Sequence, residues 1–210
     1  MTGPNLHVFL KNPIPGNVKT RLAKDIGEEA ALEVYQALVD KTQAACKGLD
    51  LPKTLWFDSF LPNPSELGSW GHSPLFIRLQ QGKDLGEKMR NSFLYSFQSG
   101  ASSAVLIGSD CPELDTLHLK EAFRILEHKD VVLGPAKDGG YYLVGLRSDT
   151  PELFHGIEWS TDTVFSRSLE KMQWARKQVG LLPVLSDLDD SKDLEYFESN
   201  GLLDWRKNGT

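Results

Sequence analysis

Cysteine is scarce in this 210-residue chain, with Cys46 and Cys111 the two present. Two isolated thiols build no disulfide framework, and no CxxC or Cys/His spacing reads as a zinc site. Positive charge is also in short supply: 23 Lys and Arg stand against 29 Asp and Glu, for a formal charge of -6. That balance argues against nucleic acid or an anionic membrane as the main partner, while leaving room for a local basic cluster that meets phosphates.

Long hydrophobic runs are missing too. No stretch approaches the roughly 20 apolar residues that span a bilayer, and Met1 to Leu10 lacks the basic-then-apolar pattern of a signal peptide. A cytoplasmic setting is the expectation. Repeats, low-complexity segments and linkers are absent, so residues 1–210 read as a single domain. What the chain does have is 40% hydrophobic and 10% aromatic residues, enough to bury a core without staples.

Short apolar runs alternate with longer helical patterns, the rhythm of a parallel α/β sheet. Strands are expected at Leu6–Leu10, Lys53–Phe57, Leu75–Gln80, Ala104–Ile107, Val131–Leu133, Tyr141–Leu146 and Leu181–Leu185. Helices are expected over Gly27–Lys47, after a capping box begun by Asp84, over Pro112–Glu127 and Thr163–Gln178, and after Ser191.

Between the first strand and first helix, Lys11-Asn-Pro-Ile-Pro-Gly-Asn-Val-Lys-Thr-Arg21 sets Lys11, Lys19 and Arg21 around Pro15 and Gly16. Ligands of open α/β sheets bind beyond the carboxyl ends of the strands, where this loop belongs. Gly16 lets backbone approach a phosphate, lysine supplies a point charge, arginine a fork, and a following helix adds its positive end. Neither GxxxxGK[ST] nor GxGxxG is present, and a solvated basic turn is the competing reading.

The run Ala104 to Ile107 leads into Gly108-Ser-Asp-Cys-Pro112, so Asp110 sits where a buried strand leaves the core. A carboxylate held there suits Mg²⁺ or Mn²⁺, which offsets charge on a leaving diphosphate. The competing role is a cap on a helix begun by Pro112. Asp138 directly precedes Gly139-Gly140 between two apparent strands. It and the glycine amides suit a sugar or polyol resting on an aromatic ring such as Tyr141, with a plain hairpin turn as the alternative. Near the end, Asp187 and Asp189 alternate after the last strand. Asp187, Asp190 and Asp193 read as helix N-terminal charge, and Asp189 as a candidate second metal ligand. Cys111 reads as a small buried thiol.

Taken in order, Phe9 to Leu22, Gly82 to Met89, Gly108 to Pro112, Gly134 to Gly145 and Ile157 to Thr161 resemble the bacterial DUF2064 family, glycosyltransferase-like proteins associated with radical-SAM enzymes and arsenosugar gene clusters. The resemblance implies the GT-A fold of nucleotide-diphospho-sugar transferases, a three-layer sandwich around a central, mostly parallel mixed sheet. It implies Asp110 at the position of the metal-binding acid, and Asp189 at that of the second metal acid in related sugar nucleotidyltransferases. Three departures are Asp190 where Thr is usual, Lys88 where Arg is common, and Ser109-Asp-Cys111, which leaves one acid at a turn where many glycosyltransferases have Asp-x-Asp. From the residues themselves, the expected substrate contacts are Lys11, Pro15, Gly16, Lys19, Arg21, Asp84, Gly139, Gly140 and Tyr141, with Asp138 as a base.

The implied reaction is glycosyl transfer from a nucleotide diphosphate sugar to a small acceptor. The same fold admits a nucleotidyltransferase that joins an NTP to a phosphorylated small molecule and releases pyrophosphate. A third reading is a catalytically silent nucleotide- or sugar-binding module. Donor and acceptor are the expected partners, beside a second copy of the chain in a homodimer.

Overall fold

Strands that read as unbroken apolar runs occupy the middle of the sheet, where both faces are covered. The computed structural model describes residues 3–206. The ends of the expected domain, Met1 to Thr2 and Lys207 to Thr210, lie outside the described residues. The strands are β1 (Asn5–Leu10), β2 (Lys53–Phe57), β3 (Leu75–Leu79), β4 (Ala104–Ile107), β5 (Val131–Pro135), β6 (Tyr141–Leu146) and β7 (Val179–Leu181). They form one sheet of order β3-β2-β1-β4-β6-β5-β7, in which β6 runs antiparallel to both neighbours and the other pairs are parallel.

The helices are α1 (Ala23–Ile26), α2 (Glu28–Lys47), α3 (Leu85–Gln98), α4 (Thr116–Leu126), α5 (Val164–Trp174) and α6 (Ser191–Ser199). Side chains alternate across β4 as the period of a strand requires. Val105 and Ile107 join Ala45 and Cys46 of α2 and Leu119 and Ala122 of α4 in one core. Ala104 and Leu106 join Met89 and Phe93 of α3 and Met172 of α5 in the other. The result is a three-layer α/β sandwich with a mostly parallel mixed sheet. Among the described residues no helix is long and apolar enough to cross a membrane.

Four elements differ from expectation. The helix after β4 starts at Thr116 and not at Pro112, because Asp115 caps it, accepting from the amides of Leu117 (2.8 Å) and His118 (3.0 Å). The following helix stops at Trp174, short of Gln178, and Arg176 turns the chain with φ 54. The last strand is Val179–Leu181 and not Leu181–Leu185, since Pro183 has no amide to give a ladder. Beyond it, Leu185 makes a single parallel bridge with Ala136. The short α1 carries no apolar period that would have marked it.

The β5–β6 connection is a hairpin closed by Gly139, whose φ is 89. A Cβ built there would lie 2.0 Å from the carbonyl oxygen of Asp162, so the turn is clamped against the loop before α5. Gly139→Ala is therefore expected to lower stability by about 1–3 kcal/mol, combining a left-handed backbone with overpacking. Urea denaturation measures it; an unchanged midpoint would show that the loop before α5 yields freely.

Candidate active site

Three segments meet at the carboxyl end of the sheet. The turn after β4 carries Asp110, whose carbonyl accepts from the amide of Leu188 (2.8 Å). Leu185 accepts from the amide of Lys137 (3.0 Å), tying the segment after β7 to the β5–β6 hairpin. Asp115 is the cap of α4, so Asp110 is left with a half-exposed carboxylate and no capping duty.

The loop after β1 closes over this point. Lys19, with only 5% of its side chain exposed, ion-pairs with Asp110 and donates to the Leu188 carbonyl (2.6 Å). Its ammonium also stands 4.0 Å from Asp189 Oδ1, and the exposed Arg21 guanidinium reaches Asp189 Oδ2 at 3.3 Å. Within this partly exposed loop, Lys19 is drawn inward and is not a solvated charge. The loop is braced from below: the Tyr35 hydroxyl of α2 accepts from the Lys11 amide (2.8 Å) and donates to the Lys11 carbonyl (2.9 Å). Burial pushes that phenol well above its ordinary range. Buried Asn12 accepts from the amides of Ser59 and Phe60, both 3.1 Å, and so joins the loops after β1 and β2.

Beside Asp189 lies a pocket of about 320 Å³, lined by Lys137, Asp138, Ser186, Asp187, Asp189, Asp193, Tyr196 and Phe197. Burial first, then the neighbouring charges of Asp110 and Asp138, push Asp187 up to about 7, with Lys19 opposing. Asp189 is raised for the same leading reason, burial, against the pull of Lys19 and Arg21. Asp193 accepts from the amides of Asp189 (2.8 Å) and Asp190 (3.1 Å), which fixes the backbone that carries Asp189. Lys137 Nζ sits 5.8 Å from the Tyr196 ring centroid.

Of the residues expected at the site, the structure brings together Lys19, Arg21, Asp110, Asp138 and Asp189. Others are spent elsewhere. Asp84 is exposed and caps α3, accepting from the Glu87 amide (2.8 Å). The Gly139 amide donates to Ala136 (3.1 Å) and the Gly140 amide to Asp138 Oδ1 (2.8 Å), so both expected sugar donors serve the hairpin itself. The Tyr141 ring packs edge-on against Trp159, with centroids 6.3 Å apart, in the core beneath α3 and α5. Lys11 and Pro15 are exposed on the loop, and the place a Gly16 Cβ would take lies 3.2 Å from the Glu28 carboxylate. The helix directly after the loop is the four-residue α1, so no long-helix dipole points at the site. Burial pushes the Cys111 thiol up to about 12, which keeps it inert.

Asp187, Lys137 and Tyr196 were not expected in the pocket. For Asp187 a signal existed: residues 187 and 189 of an extended segment fall on one side. Lys137 and Tyr196 carried none. The donor set suits a hard divalent ion, since two carboxylates and the Leu188 carbonyl converge on one buried cationic nitrogen. Among the described residues no group of three His, Cys, Asp or Glu is placed to hold a metal.

Residues 42–161 match the family model described as "Uncharacterized protein conserved in bacteria (DUF2064)". The chain is 33% identical to a solved "putative nucleotide-diphospho-sugar transferase" of Desulfovibrio desulfuricans G20, covering 99% of this chain and 89% of that one, with a TM-score of 0.86. It shares its fold with the inositol-1-phosphate CTP transferase from T. maritima, at 14% identity over 98% and 97% of the two chains and a TM-score of 0.59. Rv0371C of Mycobacterium tuberculosis H37Rv, solved as a complex with manganese, has the same fold, at 15% identity over 92% and 96% and a TM-score of 0.51. No curated protein matches the sequence.

Proposed function

The chain belongs to the DUF2064 family, and from that premise we propose that it transfers a glycosyl group from a nucleotide diphosphate sugar to a small hydroxyl-bearing acceptor. The observation that carries the choice is the acidity of the pocket: four aspartates and one lysine line it, beside the Asp110–Lys19–Asp189 cluster. So many carboxylates repel a phosphorylated acceptor and suit a neutral one whose hydroxyl proton must be taken up. Residues 1–210 act as one domain in this reading.

In the proposal Arg21 and Lys19, on the loop beyond β1, steady the donor diphosphate. Asp138, or Asp187 in the same pocket, accepts the proton of the acceptor hydroxyl. Asp110 and Asp189 would hold Mg²⁺ or Mn²⁺, which when bound offsets the charge of the diphosphate leaving group. Lys137 and the Tyr196 face would bracket a polyol acceptor.

A second reading, nucleotidyl transfer, rests on the basic loop, whose charges would equally suit a triphosphate, and on the fold shared with the CTP transferase. Product analysis separates the two. Incubation with nucleotide diphosphate sugars is expected to release free NDP, and Asp110→Asn to reduce that release at least 100-fold, in line with the loss of a leaving-group stabiliser. Pyrophosphate formed from an NTP and a phosphorylated sugar, without NDP release from any donor, would move the assignment to the second reading.

A further inference from the structure

Lys19 stands in an unusual place for a lysine that is to meet a phosphate. Its side chain is nearly buried, and its ammonium is held by Asp110, by the Leu188 carbonyl at 2.6 Å and by Asp189 at 4.0 Å. Its backbone has φ 46, a left-handed conformation that a side-chain-bearing residue keeps only where its surroundings enforce it. The enforcement is visible: the Lys19 carbonyl accepts from Ala23 (2.8 Å), and Leu188 and Asp110 are bonded to each other across the cleft.

Two oxygens from two strand-end segments therefore contact one positive nitrogen, and a third stands 4.0 Å away. That is the donor arrangement of a hard cation, occupied here by an ammonium with three hydrogens to give. A divalent ion seated between the same two carboxylates and the Leu188 carbonyl takes the place of the ammonium, and like charges cannot share that position. From this we infer that Lys19 is the resident counter-cation of the Asp110–Asp189 pair, and that Lys19 and a divalent metal exclude each other there.

The inference rests on the proposed reading only in taking Asp110 and Asp189 as the ligands. Its consequence is a coupling. While Lys19 is in place, it offsets one of the pair's two negative charges and is itself withheld from the cleft. When a divalent ion binds, Lys19 is released on the loop beyond β1, free to meet an incoming diphosphate. Arg21, 76% exposed on the rim, makes the first contact in either state. A purely structural tie would behave in the opposite way, since removing Lys19 would then loosen the site and weaken ion binding.

The test is Mn²⁺ binding to the full chain without nucleotide, read from the electron paramagnetic resonance signal of free Mn²⁺. Lys19→Met is expected to bind Mn²⁺ at least tenfold more tightly than the wild type, Lys19→Arg no more tightly, and Asp110→Asn to lose binding in either background. Equal or weaker binding by Lys19→Met overturns the inference, as does absence of Mn²⁺ binding from both proteins. A second measurement needs no variant: reductive methylation of Lys19 in the wild type, followed by mass spectrometry, is expected to speed up at least fivefold when Mn²⁺ is added. An unchanged labelling rate overturns the inference independently. Thermal shifts with nucleotide diphosphate sugars on the same samples keep the two questions apart. Donor binding with unchanged Mn²⁺ affinity removes the competition and leaves the transferase reading standing, whereas competition without donor binding does the reverse.

Discussion

Asp187→Asn is expected to make the protein more stable at pH 8 by about 2–4 kcal/mol while lowering NDP release. Asp187 moves from an ordinary 3.8 to about 7, chiefly by burial and then by the charges of Asp110 and Asp138. A carboxyl raised in the folded state keeps a proton there that the unfolded chain has lost. Stability therefore falls as pH rises from about 3.8 to about 7, and the whole cost is present above that window. At about 1.36 kcal/mol per pH unit the shift is worth roughly 4 kcal/mol, reduced somewhat because the side chain is only partly buried and solvent screens it. Asparagine has nearly the same shape and no charge, so it removes the repulsion. Urea denaturation at pH 8 and pH 4, with no divalent ion added, measures the effect. The variant should gain at the first pH and match the wild type at the second; equal stability at pH 8 would mean that Asp187 is solvated or paired in solution. A gain in stability together with lost turnover is the usual mark of a residue kept for function at a structural cost.

How much of this site could be read from the sequence follows from what each residue depends on. Asp110 was legible because it follows a four-residue apolar strand of the parallel set, whose carboxyl ends lie on one edge of the sheet. Lys19 and Arg21 were legible as basic residues of a loop beyond β1, but the burial of Lys19 was not. That burial depends on a segment some 169 residues away, which supplies the Leu188 carbonyl. Asp-Gly-Gly suits both a ligand cradle and a hairpin, and the packing of Asp162 against Gly139, which clamps the hairpin, is not local information. In sequence Asp187 is indistinguishable from N-terminal charge of α6, yet α6 has its own caps in Asp190 and Asp193. The fold was more legible than the pocket, since alternation of apolar runs is local information and convergence of loops is not. The boundaries that shifted did so at local competitors: an unrecognised cap at Asp115 and a proline at 183.

The acid limb of the stability curve should expose a second buried group. His7 on β1 is fully buried, and burial lowers its ring to about 3. Its Nδ1 accepts from Trp56 Nε1 at 2.8 Å. An indole nitrogen can only donate, so Nδ1 carries no proton, and Nε2 donates to Ser96 Oγ at 2.7 Å. Protonation would both charge a ring in the core and abolish the Trp56 bond. Because the unfolded histidine titrates near 6.5 and the folded one near 3, stability on this account is full above about 6.5 and falls as the pH drops towards 3. The total is on the order of 5 kcal/mol at about 1.36 kcal/mol per pH unit. Asp187 has the opposite slope over nearly the same range, since it contributes a gain as pH falls from about 7 to 3.8. Between about pH 4 and 6.5 the two slopes cancel, and the wild type should show a nearly flat contribution from this pair. Asp187→Asn should uncover the His7 slope, losing about 1.4 kcal/mol for each pH unit of acidification relative to its own value at pH 6.5. His7→Gln should tilt the curve the other way, less stable at neutral pH through its disturbed bonds to Trp56 and Ser96 but gaining as the pH falls. The double variant should be flat again. Chemical denaturation of the four proteins at half-unit steps from pH 4 to 6.5 decides the matter: parallel curves for all four would show that neither buried group titrates out of its ordinary range.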